Sequence, residues 1–218
     1  MNLYLLFFYK LYSLLFCLRY LPFRQAIRIP VLIHPDVKIG KMYRGAIRFR
    51  GEIKPSMLVL GFPGTEGRSN FRSLLSINQN GALIVGNGVT MIRGTRIMII
   101  KGTMSIGCNY CCNGDCSFCC TTNITIGDDN ICGWNTHFNT FEGHKTYENG
   151  LARPIEGDIV IGSHVWIASY SNIAKNAYIA NDCVVAQNSL VNKSFEKPRC
   201  LIGGIPAKVL KENFTWSA

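Results

Sequence analysis

Residues 161–191 read IGSHVWIASYSNIAKNAYIANDCVVAQNSLV. Apolar residues fall at Ile161, Ile167, Ile173, Ile179, Val185 and Val191, one every six positions. Four residues after each of the first five stands a compact side chain: Val165, Ser171, Ala177, Cys183 and Ser189. An amphipathic helix repeats every ~3.6 residues and would drift out of this register. A plain strand alternates every ~2 residues and would not select a compact residue at every third inward place. A period of six fits one short strand plus one corner, repeated. The apolar residue points inward and the compact one sits beneath the corner. Three such units close a triangular coil, and stacked coils share one continuous core.

The register continues toward the N-terminus. Val85-Gly-Asn-Gly-Val89, Met91 to Thr95 and Ile97 carry it, then Ile106, Cys112 and Phe118, then Ile126, Cys132 and Phe138. The last two sets are offset by 20 residues rather than 18, which stacks Ile on Ile, Cys on Cys and Phe on Phe. The two extra residues are expected as a bulge at Asn123 to Thr125. Proline is absent from 64 through 153, as a sheet ladder requires.

Composition narrows the class. A chain of 218 residues holds one sizeable core. With 48% hydrophobic and 17% charged residues it is not a disordered chain. Ten cysteines without a recognisable secretory leader point to a reducing compartment rather than a disulfide scaffold. The net charge of +10 is uneven: residues 1–50 hold nine Lys/Arg against Asp36 alone. No nucleic-acid-binding motif accompanies it, so nucleic acid is not an expected partner. The basic block follows an apolar start, Leu3 to Phe8 and Leu11 to Leu18, broken by Lys10 and dotted with Tyr4, Tyr9, Tyr12 and Tyr20. A spanning helix needs about 20 apolar residues. Residues 1–21 therefore read in two ways. One is a helix lying on the inner leaflet, with the following Arg and Lys drawn to anionic lipid. The other is a helix packed on the protein's own core or a partner chain. The expected location is cytoplasmic, with peripheral contact on the inner membrane face.

Three segments carry a resemblance: Ile159-Val-Ile-Gly-Ser-His-Val-Trp-Ile-Ala168, Asn188-Ser-Leu-Val-Asn-Lys193 and Gly203-Gly-Ile-Pro-Ala-Lys-Val-Leu210. With the hexads, the sequence resembles the hexapeptide-repeat acyltransferases, nearest to the sugar O-acetyltransferases of polysaccharide biosynthesis. The resemblance covers about residues 80–218. It implies an all-β, left-handed parallel β-helix of six to eight coils, with an N-terminal helix and a short C-terminal helix. It also implies a homotrimer with active sites between neighbouring chains. The expected organisation is a helical segment at 1–25, the β-helix at 26–200 with an inserted loop at 141–158, and a C-terminal cap at 201–218. The implied reaction moves an acetyl group from acetyl-CoA to the hydroxyl of a sugar, free or carried on lipid or nucleotide.

Such a transfer needs a base for the hydroxyl proton, and histidine suits neutral pH. His144 lies in the segment Asn139-Thr-Phe-Glu-Gly-His144, where the hexads stop and a long loop begins. In the family an acid, one spacer and a His sit in such a loop, so the resemblance assigns His144 as base. Glu142 is the candidate orienting group, with Asn139 as a second. His137 is expected at an outward coil position, His164 at the surface, and His34 in a structural role. No Ser-His or Cys-His pair is identifiable, which favours direct transfer over an acyl-enzyme. For the coenzyme, the resemblance points to Trp166, Ala168 and Ala186 beside the pantetheine arm, and to Lys193, Arg199 and Lys208 for its phosphates. Ala168 stands where the family has Gly. Six cysteines between Cys108 and Cys120 suggest zinc, but Cys112 and Cys116 occupy inward places, so no metal is expected. The competing readings are N-acylation of a nucleotide-linked amino sugar, a non-catalytic scaffold, and a β-helix carbonic anhydrase with zinc held across a subunit boundary by His137, His144 and His164, whose spacing does not match that family.

Overall fold

The computed structural model describes residues 3–64 and 71–217; Met1, Asn2 and Ala218, which belong to the expected terminal segments, lie outside the described residues. The chain winds as a left-handed parallel β-helix whose three walls are parallel sheets. The first sheet begins at Val31–Ile33, the second at Lys38–Ile39 and the third at Ile47–Phe49. The second and third sheets each stack seven parallel strands, and the first stacks eight, closed by one antiparallel strand. The coil thus starts at Val31, well before the region that carries the resemblance.

The hexad explains each rung. Ile161, Ile167, Ile173, Ile179, Val185 and Val191 are all buried, as are Val165, Ser171, Ala177, Cys183 and Ser189. The corners turn through left-handed backbone at His164, Tyr170, Asn176, Asp182 and Asn188, with φ of 55°, 63°, 64°, 60° and 59°. Asn and Asp tolerate that conformation best, which is why they dominate these places. The 20-residue offset is also observed: Ile106 pairs with Ile126, Cys112 with Cys132 and Phe118 with Phe138. The two Phe rings stack at 4.6 Å and 12° inside the coil.

One detail differs. Asn123 to Thr125 is not a bulge; Asn123–Ile126 is a continuous strand paired with Thr103 to Ile106. The extra residues sit at Thr121–Thr122, the corner between the second and third sheets. Asn78–Asn80 and Ile100–Lys101 enlarge the same corner in earlier turns. A corner can lengthen without breaking a ladder, whereas an insertion within a strand leaves backbone groups unpaired.

The N-terminal helix α1 spans Leu3–Tyr20. It caps the open end of the coil. Ser13, Phe16 and Cys17 are buried, the Ser13 hydroxyl accepts from Ile33 N at 2.9 Å, and burial pushes the Cys17 thiol up to about 11. Part of the basic block is absorbed here: Arg44 donates to the Leu18 and Leu21 carbonyls, satisfying the helix end. Packing on the chain's own core is therefore the reading the structure favours for this face. The opposite face leaves Tyr4, Leu5, Phe7, Phe8, Leu11 and Leu15 exposed. No helix among the described residues is long and apolar enough to cross a membrane.

The expected C-terminal helix is not formed. Residues Cys200–Gly204 and Ala207–Glu212 make an antiparallel hairpin that ends the first sheet. The reversed strand occupies the last parallel edge with exposed Lys and Glu, a common protection of an open ladder.

Candidate functional site

The long loop leaves the coil after strand His137–Asn139 and returns at Ile159–Ile161. It departs at the enlarged corner between the second and third sheets. Its neck is well tied. Phe141 bridges Glu156, Glu142 N donates to Ile155 O at 2.9 Å, and Gly157 N donates to Thr140 O at 3.0 Å. Lys101, two turns away, holds Glu156 at 2.9 Å. From Glu142 in the neck to Pro154, every residue is exposed. Tyr147–Glu148 and Leu151–Ala152 form a small hairpin around Asn149 and Gly150, with φ of 50° and 79°. An Asn-Gly pair with positive φ at both residues is a two-residue hairpin signal. The sequence reading passed over it.

His144 stands on this loop, exposed, without a hydrogen bond or ion pair among the described residues. Gly143 before it has φ +85°, a conformation that aims the following residue and that a side chain would strain. The two candidate orienting groups do not reach the imidazole. Glu142 Oε2 lies 3.1 Å from Lys175 Nζ, and Asn139 Oδ1 accepts from Phe141 N at 3.2 Å. A carboxylate two residues away on an extended neck projects to the coil side, where a buried cation meets it.

The residues expected at the coenzyme divide into two groups. Trp166 is 40% exposed on the outer face of the first sheet, and Trp216 from the C-terminal tail lies 6.2 Å from it. Ala168 and Ala186 occupy successive rungs at the corner between the first and second sheets: Ala168 N donates to Val185 O and Ala186 N to Ile202 O. Gly203 continues the line, and Lys208 pairs with Gly203 across the hairpin. Trp166, Ala168, Ala186 and Lys208 thus form one strip. Lys193 and Arg199 do not join it. Lys193 Nζ sits 5.5 Å over the Phe195 ring at another corner, and Arg199 precedes strand Cys200–Gly204 at the far end of the first sheet. The strip and the His144 loop lie at different corners of the prism.

Three histidines take other roles. His137 Nδ1 lies 2.5 Å from Ser117 Oγ on the outer face of the second sheet, so a Ser-His pair does exist. It borders a pocket of about 240 Å³ with Arg96, Asp115 and Asn135. The spacing of 20 residues hid it, because only the coil register brings the two strands side by side. His164 Nδ1 lies 2.9 Å from Asp182 Oδ1, and its ring stacks on Trp216 at 4.4 Å. Burial lowers the pKa of His34, whose ring packs against Tyr9 and Phe62. His137, His144 and His164 stand on separate elements: the strand His137–Asn139, the exposed loop and a coil corner. The sulfurs of Cys112, Cys116 and Cys132 do lie within 4.8 Å of one another. Each position follows from the repeat: Cys112 and Cys132 stack in the inward column of Met91 and Ile167, and Cys116 takes a corner place. Burial pushes the Cys112 thiol up, as expected of a packed, neutral group.

The bacterial transferase hexapeptide family (six repeats) matches residues 158–193. An uncharacterised 24.8 kDa protein in the cps region of Klebsiella pneumoniae is 32% identical over 198 residues, covering 91% of this chain and 86% of that one. The chain belongs to the hexapeptide-repeat acyltransferases. A probable macrolide acetyltransferase of Lysinibacillus sphaericus is 36% identical over 84 residues, 38% of this chain and 41% of that relative. A solved polysialic acid O-acetyltransferase is 21% identical, covering 86% of this chain and 90% of that one, with a TM-score of 0.49.

Proposed function

We propose that the protein transfers an acetyl group from acetyl-CoA to a sugar hydroxyl during surface polysaccharide biosynthesis, with His144 as the base. The observation that carries this reading is a loop tied at its neck to the coil that presents an unpartnered histidine to solvent. The acetyltransferase relatives support acetyl transfer, and the Klebsiella relative's place in the cps region supports the polysaccharide setting.

In the proposed reaction the imidazole takes the acceptor hydroxyl proton as that oxygen attacks the thioester carbonyl. The tetrahedral intermediate collapses, the coenzyme thiolate leaves, and the proton passes to it. The base is free because Glu142 and Asn139 are bonded elsewhere. The strip of Trp166, Ala168, Ala186 and Lys208 is the proposed bed for the coenzyme, with Lys208 facing its phosphates. Because strip and loop sit at different corners, the complete site is shared by two copies in a homotrimer: one gives the strip, its neighbour the loop.

The test is incubation with acetyl-CoA and a panel of neutral and acidic oligosaccharides, read by mass spectrometry of acetylated product and by coenzyme release. A saccharide O-acetyl ester is expected. Lys208→Ala should weaken coenzyme binding about tenfold with a smaller effect on kcat. No acetyl transfer to any saccharide, or unchanged coenzyme affinity in Lys208→Ala, contradicts the respective part.

The exposed apolar face of α1 supports a cytoplasmic protein resting on the inner membrane face, with the neighbouring Arg and Lys toward anionic lipid. Sedimentation with anionic vesicles at low salt tests it. Replacing Phe7 and Phe8 by Ser should abolish pelleting; equal pelleting of both proteins contradicts it. Deleting the helix is the wrong test, since Phe16 and Cys17 close the core.

A further inference from the structure

Lys175 is the one charged side chain among the buried described residues, with 8% of its surface exposed. It follows strand Asn172–Ala174, which pairs rung by rung with His137–Asn139. That register puts Lys175 in the turn next to Thr140, where the loop leaves the coil. Its ammonium group meets both arms of the neck. Nζ lies 3.1 Å from Glu142 Oε2 on the outgoing arm, and it donates to the Pro154 carbonyl on the returning arm. The other ties are backbone pairs, the more exposed Lys101–Glu156 pair and, at the roots of the loop, Thr121 with Thr140 and Asn123 with Asp158; none of these side chains meets both arms.

A buried ammonium is costly unless its donors are satisfied. Here one donor meets a carboxylate and another a carbonyl, and these partners come from arms twelve residues apart (142 and 154). The alkyl stem gives the group reach from the coil to the neck. A hydrophobic residue of similar length would fill the same space and hold neither arm. We propose that Lys175 is a positioning residue, a staple that closes the neck of the loop and so fixes where His144 stands. The value of this for catalysis rests on the acyl-transfer reading; the staple itself does not. Lys175 touches no reacting atom in this account. It acts through the loop, since a displacement of about 1 Å at a reacting group can cost about 10²-fold in rate.

The test is hydrogen exchange, read by mass spectrometry on the full chain, for wild type, Lys175→Met, Lys175→Arg and Glu142→Gln. Lys175→Met should speed exchange of the neck amides of Glu142 and Gly157 by about tenfold, with strands Ile159–Ile161 and Asn172–Ala174 unchanged. Lys175→Arg, which keeps the charge and the donors, should restore most of the protection. Glu142→Gln, which frees one arm, should fall between. In acetyl transfer, Lys175→Met should lower kcat by about 10²-fold. The KM for acetyl-CoA should stay within about twofold, and Lys175→Arg should recover much of the rate. Neck exchange equal to wild type in Lys175→Met overturns the proposal, and so does faster exchange spread evenly through the coil. If Lys175→Met does not fold, Glu142→Gln decides on the same amides. Absence of acetyl transfer in wild type would defeat the functional reading, and the exchange result would still decide the staple.

Discussion

The last three turns and the corner loop between Phe141 and Asp158 differ in what holds them. Through residues 161–191 every sixth residue from Ile161 is buried, and the five corners at His164, Tyr170, Asn176, Asp182 and Asn188 repeat the same left-handed backbone. Each rung is covered by the rung on either side, so its identity is set by packing. In the loop, residues 142–154 are exposed, and order comes from a few polar ties at the neck. The coil therefore sets stability, and the loop, free of packing demands, can place a reactive side chain. Damage to one should leave the other's property intact.

The strongest break in the comparison is expected in the coil. Phe138→Ala removes a ring stacked on Phe118 in the closed core. It should cost about 3–5 kcal/mol, read as a lower midpoint in urea. A loss below about 1 kcal/mol would mean that the stack is not a packed core. Gly143→Ala sharpens the other side. Its φ of +85° strains any side chain, at about 1–2 kcal/mol locally. Because the loop contributes little burial, the global midpoint should hardly move while turnover falls. A large drop in global stability with normal turnover would show that the loop is structural.

The coil was legible because its code is local and periodic. The column Ile161 to Val191 and the stack of Phe118 on Phe138 follow from spacing alone. Contacts set by coil register rather than by spacing were not legible. Glu142 looked like a partner for His144 because the two are near in sequence, yet the closed neck turns it to Lys175. Lys175 lies inside the hexads as an ordinary corner residue, and its spacing shows neither of the loop arms it meets. Ser117 and His137 meet only because two turns are stacked in register. The short C-terminal helix that the resemblance implies is replaced by a hairpin that covers the last rung. The two extra residues stand at Thr121–Thr122 rather than within Asn123 to Thr125, since the sequence shows how many residues a turn holds but not where the strand begins.

The central claim is that His144 is the base and the coil its support. The most direct measurement compares wild type with His144→Ala in three readings on the same preparations: acetyl transfer to the saccharide identified in the panel, the acetyl-CoA dissociation constant, and the urea midpoint. Loss of a general base usually lowers the rate about 10²–10⁴-fold. The account predicts a fall of that size in kcat, with coenzyme affinity and midpoint unchanged. Near-native turnover in His144→Ala would contradict it and move the search for the base to His137.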